Sequence, residues 1–202
     1  MKISIASDHA GFEMKQKLIP YLESKGIEVV DCGPDSDDRC DYPDYAAKGC
    51  APVVAGEVDY GVLVCGTGIG MAIAACKIDG IRAANCNNTT WASLCREHNN
   101  ANVITLSARF VSEEENQAIL DTFFATEFGG GRHAGRVEKI MALQEFYSAV
   151  LPNDGTLDAA KPSRRPFRPL VLALTTLRSL GRMTGELPRR EGFSLTLRPI
   201  PL

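Results

Sequence analysis

The 202 residues contain no apolar run approaching the roughly 20 that a membrane-spanning helix requires. Histidine is scarce, with three copies (9, 98, 133), and the seven cysteines (32, 40, 50, 65, 76, 86, 95) form no Cys-x-x-Cys pair. No Cys/His spacing therefore resembles a zinc pattern, and no metal is expected. The N-terminus, MKISIASDHAG, has one lysine and few apolar residues before a charged pair, unlike a secretory signal. A cytoplasmic protein with free thiols is expected, with Cys32, Cys76, Cys86 and Cys95 serving as small core hydrophobes.

Excess positive charge is also missing where a nucleic-acid binder would need it. The formal charge of −3 divides unevenly. Residues 151–202 carry nine Lys and Arg against four Asp and Glu, net +5, whereas residues 1–150 carry 13 against 21, net −8. Such a body excludes a general affinity for nucleic acid; an anion bound there must meet locally placed cations.

Residues 1–149 alternate strand and helix patterns: strands at 2–7, 27–33, 60–64, 81–86 and 102–107, and helices at 11–26, 42–56, 70–80, 88–99, 112–126 and about 134–149. Pro20 and Pro52 predict a kink or early break in the first two helices. The wholly apolar YGVLV (60–64) predicts a central strand, and Ser112 with Glu115 forms a capping box. Five short β/α alternations predict a three-layer, doubly wound, Rossmann-like parallel five-stranded sheet. Residues 150–202 differ. They hold seven of the eleven prolines, and KPSRRPFRP (161–169) is basic. A C-terminal extension is expected there, either flexible or an arm on a neighbouring subunit.

In such a sheet, ligands sit beyond the carboxyl ends of the strands. Asp8, His9 and Gly11 follow the first strand and CGTGIG (65–70) follows the third. His98 and Asn99, in the polar stretch before the last strand, are grouped with them. The glycines at 66, 68 and 70 miss the dinucleotide register, since Met71 stands three after Gly68. No acid ends the next strand to grip a ribose, and no Gly-Lys-Ser/Thr follows for a phosphate loop. A bare tight corner would not need three glycines and Thr67. What remains is a nest of N–H groups, from Gly66, Gly68, Ile69 and Gly70, suited to an oxyanion. Cys65 at its lip is a candidate base or nucleophile, because a thiolate facing a helix N-terminus is stabilised. Arg132 and Arg136, four apart with His133 between them, have the spacing to clamp a phosphate.

These stretches together resemble the ribose-5-phosphate isomerase B family, which includes the galactose-6-phosphate isomerase subunits. The resemblance runs over residues 1–149 through SDHAG (7–11), DYPDYA (41–46), CGTGIGMAIAACK (65–77), GIRAA (80–84), REHNNAN (96–102) and GGGRHAGRVEKI (129–140). It departs at Cys76, where asparagine is usual, and in Leu-Ser-Ala-Arg (106–109), where Leu-Gly-Ala-Arg is usual. Both departures stand outside the residues that would carry the chemistry.

The resemblance implies interconversion of an aldose and a ketose phosphate without metal or organic cofactor. It implies that Cys65 is the base acting through an enediolate and that His98 opens the sugar ring. Asp8 and Thr67 would move or orient hydroxyl protons, and Asn99 would bind hydroxyls. His9, Arg109, Arg132 and Arg136 would hold the phosphate. It further implies a homodimer or homotetramer with shared sites, taking ribose 5-phosphate in the pentose phosphate pathway. The alternatives are galactose 6-phosphate, allose 6-phosphate, a tetrulose phosphate, or a non-catalytic anion-binding module. Cys65 and His98 in one chain favour the self-sufficient ribose enzyme.

Overall fold

Alternating side chains on the strands dictate a sheet covered on both faces. In the computed structural model, which describes residues 1–150, β1 (Lys2–Ser7), β3 (Tyr60–Cys65) and β5 (Val103–Ser107) form its centre. The short strands β2 (Glu28–Asp31) and β4 (Ala83–Asn85) form its edges. The order is β2-β1-β3-β5-β4, with every pair parallel. Ile3, Ile5, Val62, Val64, Ile104 and Leu106 point to one face and pack against α1 (Phe12–Ser24), α4 (Thr89–Asn99) and α5 (Glu113–Ala125). Ala6, Leu63, Cys65 and Val103 point to the other and meet α2 (Tyr42–Val54) and α3 (Ile69–Ala75). Period-2 alternation thus yields two apolar layers, as expected for a central parallel sheet. A 3₁₀ turn, Gly131–His133, leads into α6 (Ala134–Val150). The extension expected from 150 onward lies outside the described residues, among which no helix is long and apolar enough to cross a membrane.

Three local expectations need correction. Pro20 does not end α1, which runs on to Ser24. Leu18 and Leu22, buried on either side of it, hold the helix against the sheet, while Pro20 itself faces water. Pro52 likewise falls inside α2, two residues before its end. Cys76 is exposed rather than a core residue, and Cys32 is only half-buried. Cys50, by contrast, is fully enclosed, and burial pushes its thiol up to about 12. Ser112 caps α5, its Oγ accepting from the Glu115 N–H, which is one half of the expected capping box, and Asn88 Oδ1 caps α4 by accepting from the Trp91 N–H.

The first helix also carries a feature that periodicity conceals. Lys15, in the stripe with Met14, Leu18 and Leu22, has no exposed surface. Its Nζ donates to both Asp31 oxygens (2.6 and 2.7 Å) and to the Pro34 carbonyl (2.9 Å). Removing only the anion strands a buried cation, whereas removing the cation leaves a carboxylate that water reaches. Asp31→Ala is expected to cost about 2–4 kcal/mol, below the full buried-pair figure because Asp31 is partly exposed. Lys15→Met should cost clearly less, and urea midpoints of the two variants will rank them.

Candidate active site

The order β2-β1-β3-β5-β4 reverses direction between β1 and β3, and there the strand ends leave a crevice. Both turns bordering it belong to sequence-predicted site motifs. The Asp8 N–H donates to Val64 O (3.1 Å), and Asp8 Oδ1 accepts from the Gly11 N–H (2.9 Å). Gly11 is required by close approach. A methyl there would press on the Val64 carbonyl and lie 3.0 Å from the Cys65 nitrogen. This contact sets the buried carboxylate of Asp8 beside the end of β3. His9 Nδ1 lies 3.1 Å from the Cys40 carbonyl oxygen and 3.4 Å from the Cys40 backbone nitrogen, so the backbone of residue 40 holds the ring by its Nδ1 side.

Cys65 ends β3 almost fully buried, and its Sγ accepts from the Gly68 N–H at 3.1 Å. Gly68 has φ +77°, and a side chain would collide with Asn85 Oδ1. Only glycine turns the chain so that this N–H faces back to the sulfur. The next N–H, of Ile69, donates to Thr67 Oγ1 (3.2 Å). Two of the expected nest donors are therefore held inside the turn, one of them on Cys65 itself. Arg109 lies across Gly66: a methyl on that glycine would sit 3.3 Å from Arg109 Cδ and 3.4 Å from Nε. Gly70 is covered by the ring of Tyr42, 3.0 Å from where a methyl would stand. Asp8, His9, Cys65, Gly66, Thr67, Gly68, Ile69, Gly70 and Arg109 thus border one edge of the sheet.

His98 and Asn99 do not. They end α4, which runs back from the carboxyl end of β4 to the amino end of β5. The hydrogen bonds agree: Gly61 N–H, at the start of β3, donates to Asn102 O, and Arg82, before β4, donates to Asn100 O and Asn102 Oδ1. The grouping of His98 and Asn99 with the strand ends is overturned, because a helix returning between parallel strands finishes at the opposite edge. Crossing the six residues of β3 takes roughly 16–20 Å.

The basic segment follows His98. The His133 ring stacks on the His98 ring, with centroids 4.3 Å apart and planes 7° from parallel, and the Gly129 N–H donates to Glu97 O (2.9 Å). Arg132 and Arg136 are exposed at this edge. Loss of hydration, then the neighbouring His98, Arg132 and Arg136, push the His133 imidazole below its ordinary range. The expected phosphate set is therefore split within one chain, with His9 and Arg109 at one edge and Arg132 and Arg136 at the other.

Sequence reasoning missed several supporting groups. Tyr42, in the motif DYPDYA, opens α2 and lays its ring over Gly70, a contact that spacing in the sequence does not mark. Asn85 supports the turn from beneath, its Nδ2 3.5 Å from Thr67 O and its Oδ1 accepting from Thr105 Oγ1 (3.2 Å). Among the described residues no cluster of His, Cys, Asp and Glu could hold a metal ion.

A family model described as Ribose/Galactose Isomerase matches residues 3–140. The chain belongs to this family. It is an aldose–ketose isomerase acting on a sugar phosphate. Its curated relatives include ribose-5-phosphate isomerase B of Escherichia coli, 43% identical over 144 residues, covering 71% of this chain and 97% of the relative. The crystal structure of a ribose 5-phosphate isomerase from Thermotoga maritima is 51% identical with a TM-score of 0.69, covering 70% of this chain and 97% of that one. Ribose-5-phosphate isomerase B from Mycoplasma genitalium, solved with bound ribulose-5-phosphate, is 42% identical with a TM-score of 0.68, covering 71% and 96%. The five-stranded parallel fold of the isomerase agrees with these structures.

Proposed function

We propose that the isomerase interconverts D-ribose 5-phosphate and D-ribulose 5-phosphate without a cofactor, at sites each assembled from two copies of the chain. The observation that carries the chemistry is Cys65 Sγ at the switch point, held by the Gly68 N–H at 3.1 Å and flanked by Asp8 and Arg109. In this reading the Cys65 thiolate removes the proton from C2 of the open-chain aldose. The electron pair moves into the C1–C2 bond, and the proton returns at C1. The oxygen that gains charge meets the N–H groups of the turn that Cys65 and Thr67 do not already hold, those of Gly66 and Gly70, each well-aimed donor being worth on the order of 3 kcal/mol. Asp8 and Thr67 pass or orient the hydroxyl protons.

Distance supports the two-copy site. His98, Asn99, Arg132 and Arg136 lie a strand's length from Cys65, so one chain cannot apply both sets to one five-carbon substrate. His98 of the partner subunit would open the ring and Asn99 of the partner subunit would bind hydroxyls. Arg132 and Arg136 of the partner subunit would complete the phosphate grip of His9 and Arg109. Binding that remote phosphate positions the reacting carbons. Exposed apolar side chains on α3, Ile69 and Ile73, directly after the glycine turn, support a second copy docking there. A homodimer is the smallest assembly that completes the site; a homotetramer is compatible.

Activity over ribose 5-phosphate, galactose 6-phosphate, allose 6-phosphate and a tetrulose phosphate, with and without EDTA, tests the substrate. Ribose 5-phosphate should give the highest kcat/KM, unchanged by the chelator. A hexose phosphate turned over more efficiently would contradict the assignment, and loss of activity in EDTA would contradict cofactor independence.

A further inference from the structure

The turn that carries Arg109 is tied down by two side chains outside the chemistry. Ser107 ends β5 in register with Cys65 and is buried. Its Oγ donates to the Gly66 carbonyl (2.9 Å) and accepts from the Phe110 N–H (3.2 Å), bridging the two turns. Two backbone bonds run alongside, from Ala108 N–H to Cys65 O (2.9 Å) and from Arg109 N–H to Gly66 O (3.1 Å). Behind them stands Asn116 of α5, with no exposed surface. Its Nδ2 donates to the Ser107 carbonyl (3.0 Å) and, at 3.4 Å, to the Val111 carbonyl. The amide takes this orientation although its Oδ1 has no hydrogen-bond partner among the described residues.

We infer that Ser107 and Asn116 form a brace that positions Arg109 over Gly66, making both of them positioning residues for phosphate binding. The inference rests on the proposed role of Arg109 as a phosphate ligand. A glycine in place of Ser107 could supply neither hydroxyl bond, so the turn would lose the side-chain bridge between Gly66 and Phe110. Asn116 closes the far side by joining the carbonyls at the first and last residues of 107–111. With both in place, the guanidinium is held across Gly66 before substrate arrives, and less freedom is lost on binding. Neither side chain need touch the sugar phosphate.

The test is a double-mutant cycle read by inorganic phosphate as a competitive inhibitor, with KM and kcat measured for the sugar phosphate. Ser107→Gly installs a residue that the position accommodates sterically, and Asn116→Ala removes the second half of the brace. Each should raise KM and the phosphate inhibition constant about three- to tenfold, the range of one or two lost hydrogen bonds, with a smaller change in kcat. Ser107→Gly should add little in an Arg109→Ala background, because the group being positioned is gone. Unchanged phosphate inhibition in both single variants would overturn the brace. So would a Ser107→Gly effect of full size in the Arg109→Ala background, which would make the residue merely structural. Arg109→Ala alone tests the underlying reading: if phosphate still inhibits as in the wild type, the ligand role of Arg109 falls, and the inference with it.

Discussion

Cys65→Ala should lower kcat by about 10²–10⁴-fold, the usual worth of a positioned base, while KM for the sugar phosphate moves little. The expectation rests on the separation of tasks at the carboxyl edge. Cys65 sits beneath the glycine turn with its sulfur on the Gly68 N–H, whereas the phosphate contacts proposed above belong to Arg109 and other cations further out. Alanine fits the same space among Ala6, Leu63 and Met71, so the fold should survive. Cys65→Ser separates geometry from basicity. It retains an acceptor for Gly68 but offers a far weaker base, so it too should be nearly inactive. Turnover of Cys65→Ala near that of the wild type would remove the thiolate from the proton transfer.

His98→Ala is the second large loss, about 10²-fold in kcat. It should be smaller than that at Cys65, because a sugar ring also opens unaided in water. His98 is half-exposed at the end of α4, stacked on His133, with a Glu97 carboxylate oxygen 3.8 Å from its Nε2. That leaves the imidazole reachable by a ligand presented by another chain. A kcat equal to that of the wild type under saturating substrate would show that ring opening does not depend on it.

The layers of the fold were legible because β3 is apolar on both faces and α1 to α5 each bury one side against the sheet. The glycine register at 66–70 likewise excluded a dinucleotide before any geometry was known. What remained hidden depends on three-dimensional closure. Apolar periodicity passes over Lys15 in the buried stripe of α1 and says nothing of Asp31, sixteen residues away, which makes its burial tolerable. Pro20 reads as a breaker, yet tertiary contacts of Leu18 and Leu22 override the local preference. His98 is the instructive error. Its polar neighbours mark it as a candidate for chemistry, but proximity in sequence to a strand does not say which end of that strand it meets. Asn116 carries no sequence signal at all, since its partners are backbone carbonyls of another turn.

Subunit complementation tests the two-copy site most directly. Purified Cys65→Ala and His98→Ala chains, each nearly inactive, are dissociated, mixed in equal amounts and reassociated. In a mixed two-fold dimer one site inherits both lesions and the other inherits neither, so random pairing should restore about a quarter of wild-type activity. A mixture that reassociates yet remains as inactive as its parents would contradict a site shared between copies.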